Sequence, residues 1–246
     1  MISTKENDER MRIGQTSEIW RYPVKSMGGE RLQGVSVERY GLEGDRFCSL
    51  YDEAKEGWSS YHTARKFPAL LMYRAAYGEE GVRVDSPLGP SYRWEPALGD
   101  ELEQVTGTRM SMSAEGAPGR EGNGLMAVDA ASVLIVTDAS LRRLKAAWGK
   151  EAEALRFRPN LLLRTDEPEL DDESLLGARL RIGGALLQVD SFCQRCSMVN
   201  YDPDSLERDP SLLRVVNDRF GLSFGLYASV LEPGRIAEGD AALREG

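Results

Sequence analysis

The sequence predicts a mostly β protein with some helices, an α+β chain in two parts. Three observations point there: short runs rich in aromatic and β-branched residues, glycine and proline turns between them, and helical spacing of leucines in only a few segments. With 246 residues, and roughly 100–200 per domain, there is sequence for one large or two small domains, each with a core.

The elements follow in chain order. Residues 1–12 are charged and lack a hydrophobic period, which predicts a flexible tail. Ile19–Val24, Gly34–Val37, Arg46–Tyr51, Leu70–Tyr77 and Gly81–Val84 read as strands. Turn signals separate them at Met27–Gly29, Gly41–Gly44, Gly78–Gly81 and Ser86–Pro90. Glu101–Thr106 reads as a short helical turn that closes this part near residue 110. Glu115–Gly124, with four glycines and a proline, is the best loop candidate. Ser132–Thr137 then reads as a buried strand, and Asp138–Trp148 as a helix capped by Asp138. Asn160–Arg164, Arg179–Ile182 and Ala185–Val189 are strand-like; Leu212–Arg219 is helical, entered through Asp209-Pro210. Phe224–Leu231 and the closing Gly234–Asp240 segment read as strand and tight turn.

Charge and composition narrow the function. Forty acidic against 31 basic side chains give a formal charge of -9, which disfavours a general nucleic-acid binder, since that needs a basic face. No apolar run approaches the roughly 18 residues of a spanning helix, and the charged N-terminus has no signal-peptide core behind it. Three cysteines (Cys48, Cys193 and Cys196) make no disulfide framework and suit a reducing cytoplasm. A single histidine, His62, leaves little room for a His-rich metal site.

The sharpest local feature is Cys193-Gln194-Arg195-Cys196. A dithiol pair would need a helix start to lower a thiol pKa. A zinc site would need about four ligands. A single thiolate bound to a metal whose other ligands come from a cofactor is a third reading, with Arg195 helping to keep the sulfur ionised. Two small buried residues remain the plainest. A second constellation is a scatter of donors at strand ends: Lys25 and Ser26 after Tyr22-Pro23-Val24, Arg46 in Gly44-Asp45-Arg46-Phe47, Arg65 in His62-Thr63-Ala64-Arg65, and Arg158 with Asn160 in Phe157-Arg158-Pro159-Asn160. Guanidinium, ammonium and hydroxyl groups so placed suit an anionic ligand with a phosphate.

Taken in order, these motifs resemble those of the MOSC-domain proteins that carry a MOSC N-terminal β-barrel domain in front, the arrangement of the amidoxime-reducing component family. The resemblance begins at Ile19–Ser26. It runs through Gly41–Phe47, His62–Arg65, Asp129–Leu144, Phe157–Asn160, Cys193–Cys196 and Phe224–Tyr227 to Pro233–Asp240. It implies a β-barrel-like N-terminal domain over residues 13–110 and a MOSC β-barrel domain over 111–246. It also implies a molybdenum cofactor, a pterin dithiolene with a terminal phosphate (Mo-molybdopterin), and the family is associated, more loosely, with pyridoxal phosphate. Cys196 matches the metal-binding cysteine and is the expected catalytic residue, while Cys193 matches the non-ligating partner. Lys25, Ser26, Arg46, Arg65, Arg158 and Asn160 match cofactor contacts.

For the reductive relatives the implied chemistry is two-electron removal of oxygen from N-hydroxylated compounds. Asp129, Asn200 or Asp202 are candidates to manage protons. Iron–sulfur clusters typically take about four cysteine ligands, more than this chain has beside Cys196, so a separate electron donor, ferredoxin-like or a reductase, is expected. The competing expectation is a cofactor or sulfur carrier without turnover. Two departures stand out: Val199-Asn200 replace a threonine pair, and Leu206 stands where relatives carry glycine. Cys48 occupies a position that is often tryptophan and reads as packing.

Overall fold

The computed structural model describes residues 11–114 and 131–245. The first stretch holds β1 (Met11–Arg21), β2 (Glu30–Leu32), β3 (Gly34–Glu38), β4 (Gly41–Leu42), β5 (Cys48–Tyr51), β6 (Arg74–Gly78), β7 (Gly81–Asp85), β8 (Ser91–Arg93), helix α1 (Pro96–Thr106) and β9 (Ser111–Ala114). The second holds β10 (Val133–Thr137), α2 (Asp138–Trp148), β11 (Leu161–Thr165), β12 (Arg179–Ile182), β13 (Ala185–Gln194), α3 (Pro210–Phe220), β14 (Ser223–Glu232), β15 (Gly234–Ala237) and β16 (Ala241–Glu245).

Seven of these strands close a barrel in the order β11-β10-β14-β13-β12-β16-β1, with β1 pairing back onto β11. Neighbours are antiparallel except β10 and β11, which α2 joins as a parallel pair, the crossover such a pairing requires. Closure rests on the eleven-residue β1, which pairs with β16 along its first part and with β11 along most of its length. A register shift between Arg12 and Gly14 bends it at that point. Gly14 is required there: a Cβ would lie 2.2 Å from the Arg164 carbonyl oxygen. The first expectation to change is therefore the tail, because Met11 and Arg12 are already barrel strand.

The alternating apolar residues of these strands fill the barrel interior, among them Ile19, Ile135, Leu161, Leu180, Leu187 and Leu226, each fully buried. Each such side chain contributes roughly 1.5–3 kcal/mol. A second core lies under the small sheets β5-β9 and β6-β7-β8 and contains Val24, Met27, Cys48, Leu50, Tyr73 and Leu98. A third packs α2 and α3 on the barrel wall through Val136, Leu144, Leu212 and Val216, with Phe157 stacked on Phe224 at 4.2 Å.

Several element boundaries moved for local reasons. The strand read over Leu70–Tyr77 is a 3-10 turn, Pro68–Met72, followed by β6; Pro68 sits in its first turn, where a proline is tolerated. The strand read from Arg46 begins at Cys48, because Arg46 has a left-handed backbone. The helical turn at Glu101 is a full helix that starts at Pro96 and ends on left-handed Gly107. Helix α2 is capped by Thr137, whose Oγ1 accepts the Ser140 N–H at 3.0 Å; Asp138 instead binds Arg142 one turn on. Asp209 caps α3 by accepting the Ser211 N–H at 3.0 Å. The loop read at Glu115–Gly124 lies outside the described residues.

Candidate functional site

A cavity of about 420 Å3 takes its walls from both halves of the sequence. Lys25, Ser26, Arg46 and Arg65 come from the first half, and Arg158, Asn160 and Cys196 from the second, so the structure brings together the residues expected to hold the cofactor and its metal. With Arg156 and Arg195, the lining holds six cationic side chains and, among the described residues, no carboxylate.

Backbone strain marks the same place. Ser26, Arg46 and Arg158 are left-handed, with φ of 72°, 49° and 55°. Non-glycine residues avoid this region at about 1–3 kcal/mol each, so the surrounding structure must impose it. The causes can be named. Lys25 N–H is tied to the Cys48 carbonyl (2.9 Å) and Arg46 N–H to the Tyr22 carbonyl (2.8 Å), while Arg158 ends the 3-10 turn Ala154–Phe157. Tyr22 is the shared platform. The Arg158 guanidinium lies 4.2 Å and that of Arg46 4.7 Å from its ring centroid. Burial pushes the Tyr22 hydroxyl up to about 12, against the pull of both arginines. Asp45 holds the platform from behind, accepting the Tyr22 N–H at 2.7 Å and an Arg46 N–H.

Asn160, in the cavity lining, also braces the wall. Its Oδ1 accepts the Leu134 N–H at 3.0 Å and its Nδ2 donates to the Trp20 carbonyl at 3.2 Å, so the amide ties these segments together. Arg195 is fixed by Nε on the Phe224 carbonyl (2.7 Å) and Nη1 on the Phe157 carbonyl (3.0 Å), while its buried Nη2 has no hydrogen-bond partner. Burial draws this guanidinium below its ordinary pKa, opposed by Cys193, Tyr227 and Cys196 around it.

Cys193, buried, sits near the end of β13; Cys196, half-buried, precedes the 3-10 turn Ser197–Asn200. A pair spanning a strand end and a four-residue turn lacks the helix dipole that the dithiol reading needs. The zinc reading also fails to find its ligands. Cys48 packs in the second core, where burial pushes its thiol up to about 12. His62 is buried against Phe67, and neither residue lines the cavity. Among the described residues, Glu153, Asp202 and Asp204 gather without any cysteine, and Arg156 and Arg74 neutralise two of them. The proton-handling expectation changes as well. Asn200 spends its Oδ1 on the Leu213 N–H (3.0 Å), Asp202 pairs with Arg156 at 2.7 Å, and neither lines the cavity. Asp129 lies outside the described residues.

Sequence reasoning passed over Trp58, Tyr61, Arg156 and Tyr227, all in the lining. The Lys25 ammonium sits 4.8 Å from the Trp58 ring centroid and 5.2 Å from that of Tyr61. The available signal was Trp58-Ser59-Ser60-Tyr61, two aromatic residues in an otherwise polar stretch.

Comparisons with known proteins agree with this architecture. The MOSC N-terminal beta barrel domain profile matches residues 13–130 and the MOSC domain profile residues 122–242. Mitochondrial amidoxime reducing component 2 of Bos taurus is 24% identical, over 93% of this chain and 82% of its own length. Molybdenum cofactor sulfurases of Drosophila mojavensis and Caenorhabditis briggsae are 36% and 32% identical over 53% and 45% of this chain. The chain spans only 16% of the length of either sulfurase. The solved structure of the YUAD protein from Bacillus subtilis superposes with a TM-score of 0.52 over 97% of this chain and 98% of its own, at 14% identity, which shows a shared fold. This chain belongs to the MOSC family, with a MOSC N-terminal β-barrel domain leading into the MOSC domain.

Proposed function

We propose that this protein binds a molybdenum cofactor in the cavity and reduces N-hydroxylated compounds, with electrons from a separate redox partner in the cytoplasm. One observation carries the reading: six cations and a half-buried thiol share one cavity of about 420 Å3 that has no carboxylate among its described walls. The volume lies within the roughly 300–1,000 Å3 of small-molecule sites. The donor set fits a phosphate-bearing organic chelate of a soft metal. Cys196 would supply the thiolate for the metal. Lys25, Ser26, Arg46 and Arg158 would hold the anionic part, with Arg65 near them, and the unpartnered Arg195 Nη2 is a donor still to be satisfied. When bound, the cofactor supplies the two-electron chemistry that takes oxygen from nitrogen. The chain's own contribution is orientation: the Tyr22 platform sets two guanidinium planes, Asn160 locks the strands behind them, and Trp58 and Tyr61 form an aromatic wall. Among the described residues no helix is long and apolar enough to cross a membrane.

The direct test is Cys196→Ser, purified from a host that makes the cofactor. Molybdenum content is expected to fall below about a tenth of wild type, together with reduction of a hydroxylamine, given that the metal loses its protein ligand. Wild-type molybdenum content in this variant would refute the assignment. A second reading, a cofactor or sulfur carrier, draws on the sulfurase likeness, which is higher per residue than the reductase likeness. Transfer of the molybdenum to an acceptor protein, without substrate turnover, would favour the carrier.

A further inference from the structure

Beside the main cavity lies a second chamber of about 20 Å3, which shares Arg156, Arg158 and Met198 with it. Two polar atoms in residues of this chamber's wall are shielded from solvent and have no hydrogen-bond partner: the Tyr22 hydroxyl and Arg156 Nε. Tyr22 is only 2% exposed. The rest of each side chain is committed. The Tyr22 ring carries the Arg46 and Arg158 guanidinium groups; Arg156 Nη2 bonds Asp202 at 2.7 Å and Nη1 reaches the Asn200 carbonyl at 3.5 Å. Gly29, also in the wall, packs tightly against this ring, where a Cβ would come within 2.6 Å of Tyr22 Cδ1.

Buried polar groups are rarely left unpaired, since each then forfeits its hydration without replacement. A chamber needs roughly 10–15 Å3 of such volume to hold one water, and the water needs about two to four polar partners. This chamber meets the volume for one water, and two of the residues that line it, Tyr22 and Arg156, each carry a buried unpaired polar atom. We propose that it is a site for one internal water, which accepts the Arg156 Nε–H and bonds the Tyr22 hydroxyl. The water joins the segment leaving β1 to the 3-10 turn Ala154–Phe157 and fixes the edge of the ring on which Arg46 and Arg158 rest. The assignment is independent of the cofactor reading.

A crystal structure at a resolution that orders water is expected to show one density peak within hydrogen-bond distance of both atoms. Tyr22→Phe keeps the ring and removes the hydroxyl. With the water in place, its thermal midpoint falls by about 2–4 °C, the effect of one lost hydrogen bond in a chain of this size. A midpoint unchanged or raised overturns the proposal, because that is the result of deleting a hydroxyl that had no partner. Arg156→Lys keeps the charge beside Asp202 and removes Nε–H. The double variant is expected to lose less than the sum of the two single losses, because both bond the same water. Additive losses, or a wall with no density peak, would likewise overturn it.

Discussion

Arg158 and Leu206 share a backbone conformation and differ in everything else. Their φ angles are 55° and 58°, both in the region that side chains with a Cβ avoid. Arg158 spends that strain on presenting a guanidinium to the cavity, stacked on Tyr22 and donating to the Met27 carbonyl. Leu206 lies half-buried in the turn closed by its own N–H on the Asp202 carbonyl at 3.0 Å, outside the cavity lining. The resemblance expects glycine at that position, and the geometry explains why: the turn needs a left-handed residue and asks nothing of its side chain. Strain is evidence of function where the strained residue carries the chemistry, and a cost of sequence divergence where it does not.

Replacing each residue by glycine turns this contrast into a measurement. Arg158→Gly relieves the backbone but removes the guanidinium, and charged hydrogen bonds are worth about 1.5–3 kcal/mol. Molybdenum cofactor content is expected to drop roughly ten- to hundredfold, measured by metal analysis. Retained cofactor would place Arg158 with Leu206 as strain without function. The next largest effect is at Asp209, just beyond the same turn and the cap of α3. Asp209→Ala is expected to lose about 1 kcal/mol in urea unfolding at neutral pH. The bond to Lys150, with those to Ser211, holds this carboxyl down at about 2, from an ordinary 3.8. A depressed acid stabilises the fold above its unfolded value and ceases to as it protonates in the native state. The Asp209→Ala loss therefore holds above pH 3.8 and shrinks as pH falls toward about 2. A loss independent of pH would show that the cap works without its charge. Leu206→Gly has the smallest effect, a gain of roughly 0.5 kcal/mol with cofactor content unchanged. A loss of stability would mean that the half-buried leucine packs better than its backbone suggests.

Much of the site was legible because its chemistry is local in sequence. Lys25-Ser26, Arg46, Arg158 and Cys196 each follow a strand or turn signal, and donors at strand ends naturally face a shared opening. Trp58 and Tyr61 were not legible, since an aromatic pair in a polar loop carries no period and gains meaning only from Lys25 lying over both rings. Asn160 was legible as a polar residue in the site but not as a strut, because its partners Trp20 and Leu134 are remote in sequence. The dithiol and zinc readings stayed open in the sequence because cysteine spacing does not reveal whether a helix follows; a strand end and a short turn there remove the first.

By itself the sequence determined the mostly β architecture, the position of most strands, the extent of α2, the entry to α3, and most of the cations and the thiol that a ligand would meet. These follow from alternation, turn residues and side-chain chemistry, all properties of neighbours along the chain. Only the tertiary structure decided that β1 closes the barrel by pairing with both β16 and β11, that Tyr22 seats two arginines, and that Ser26, Arg46 and Arg158 are held left-handed. The reason is physical: closure and strain are set by contacts between distant segments, and those contacts exist only once the separate cores have packed.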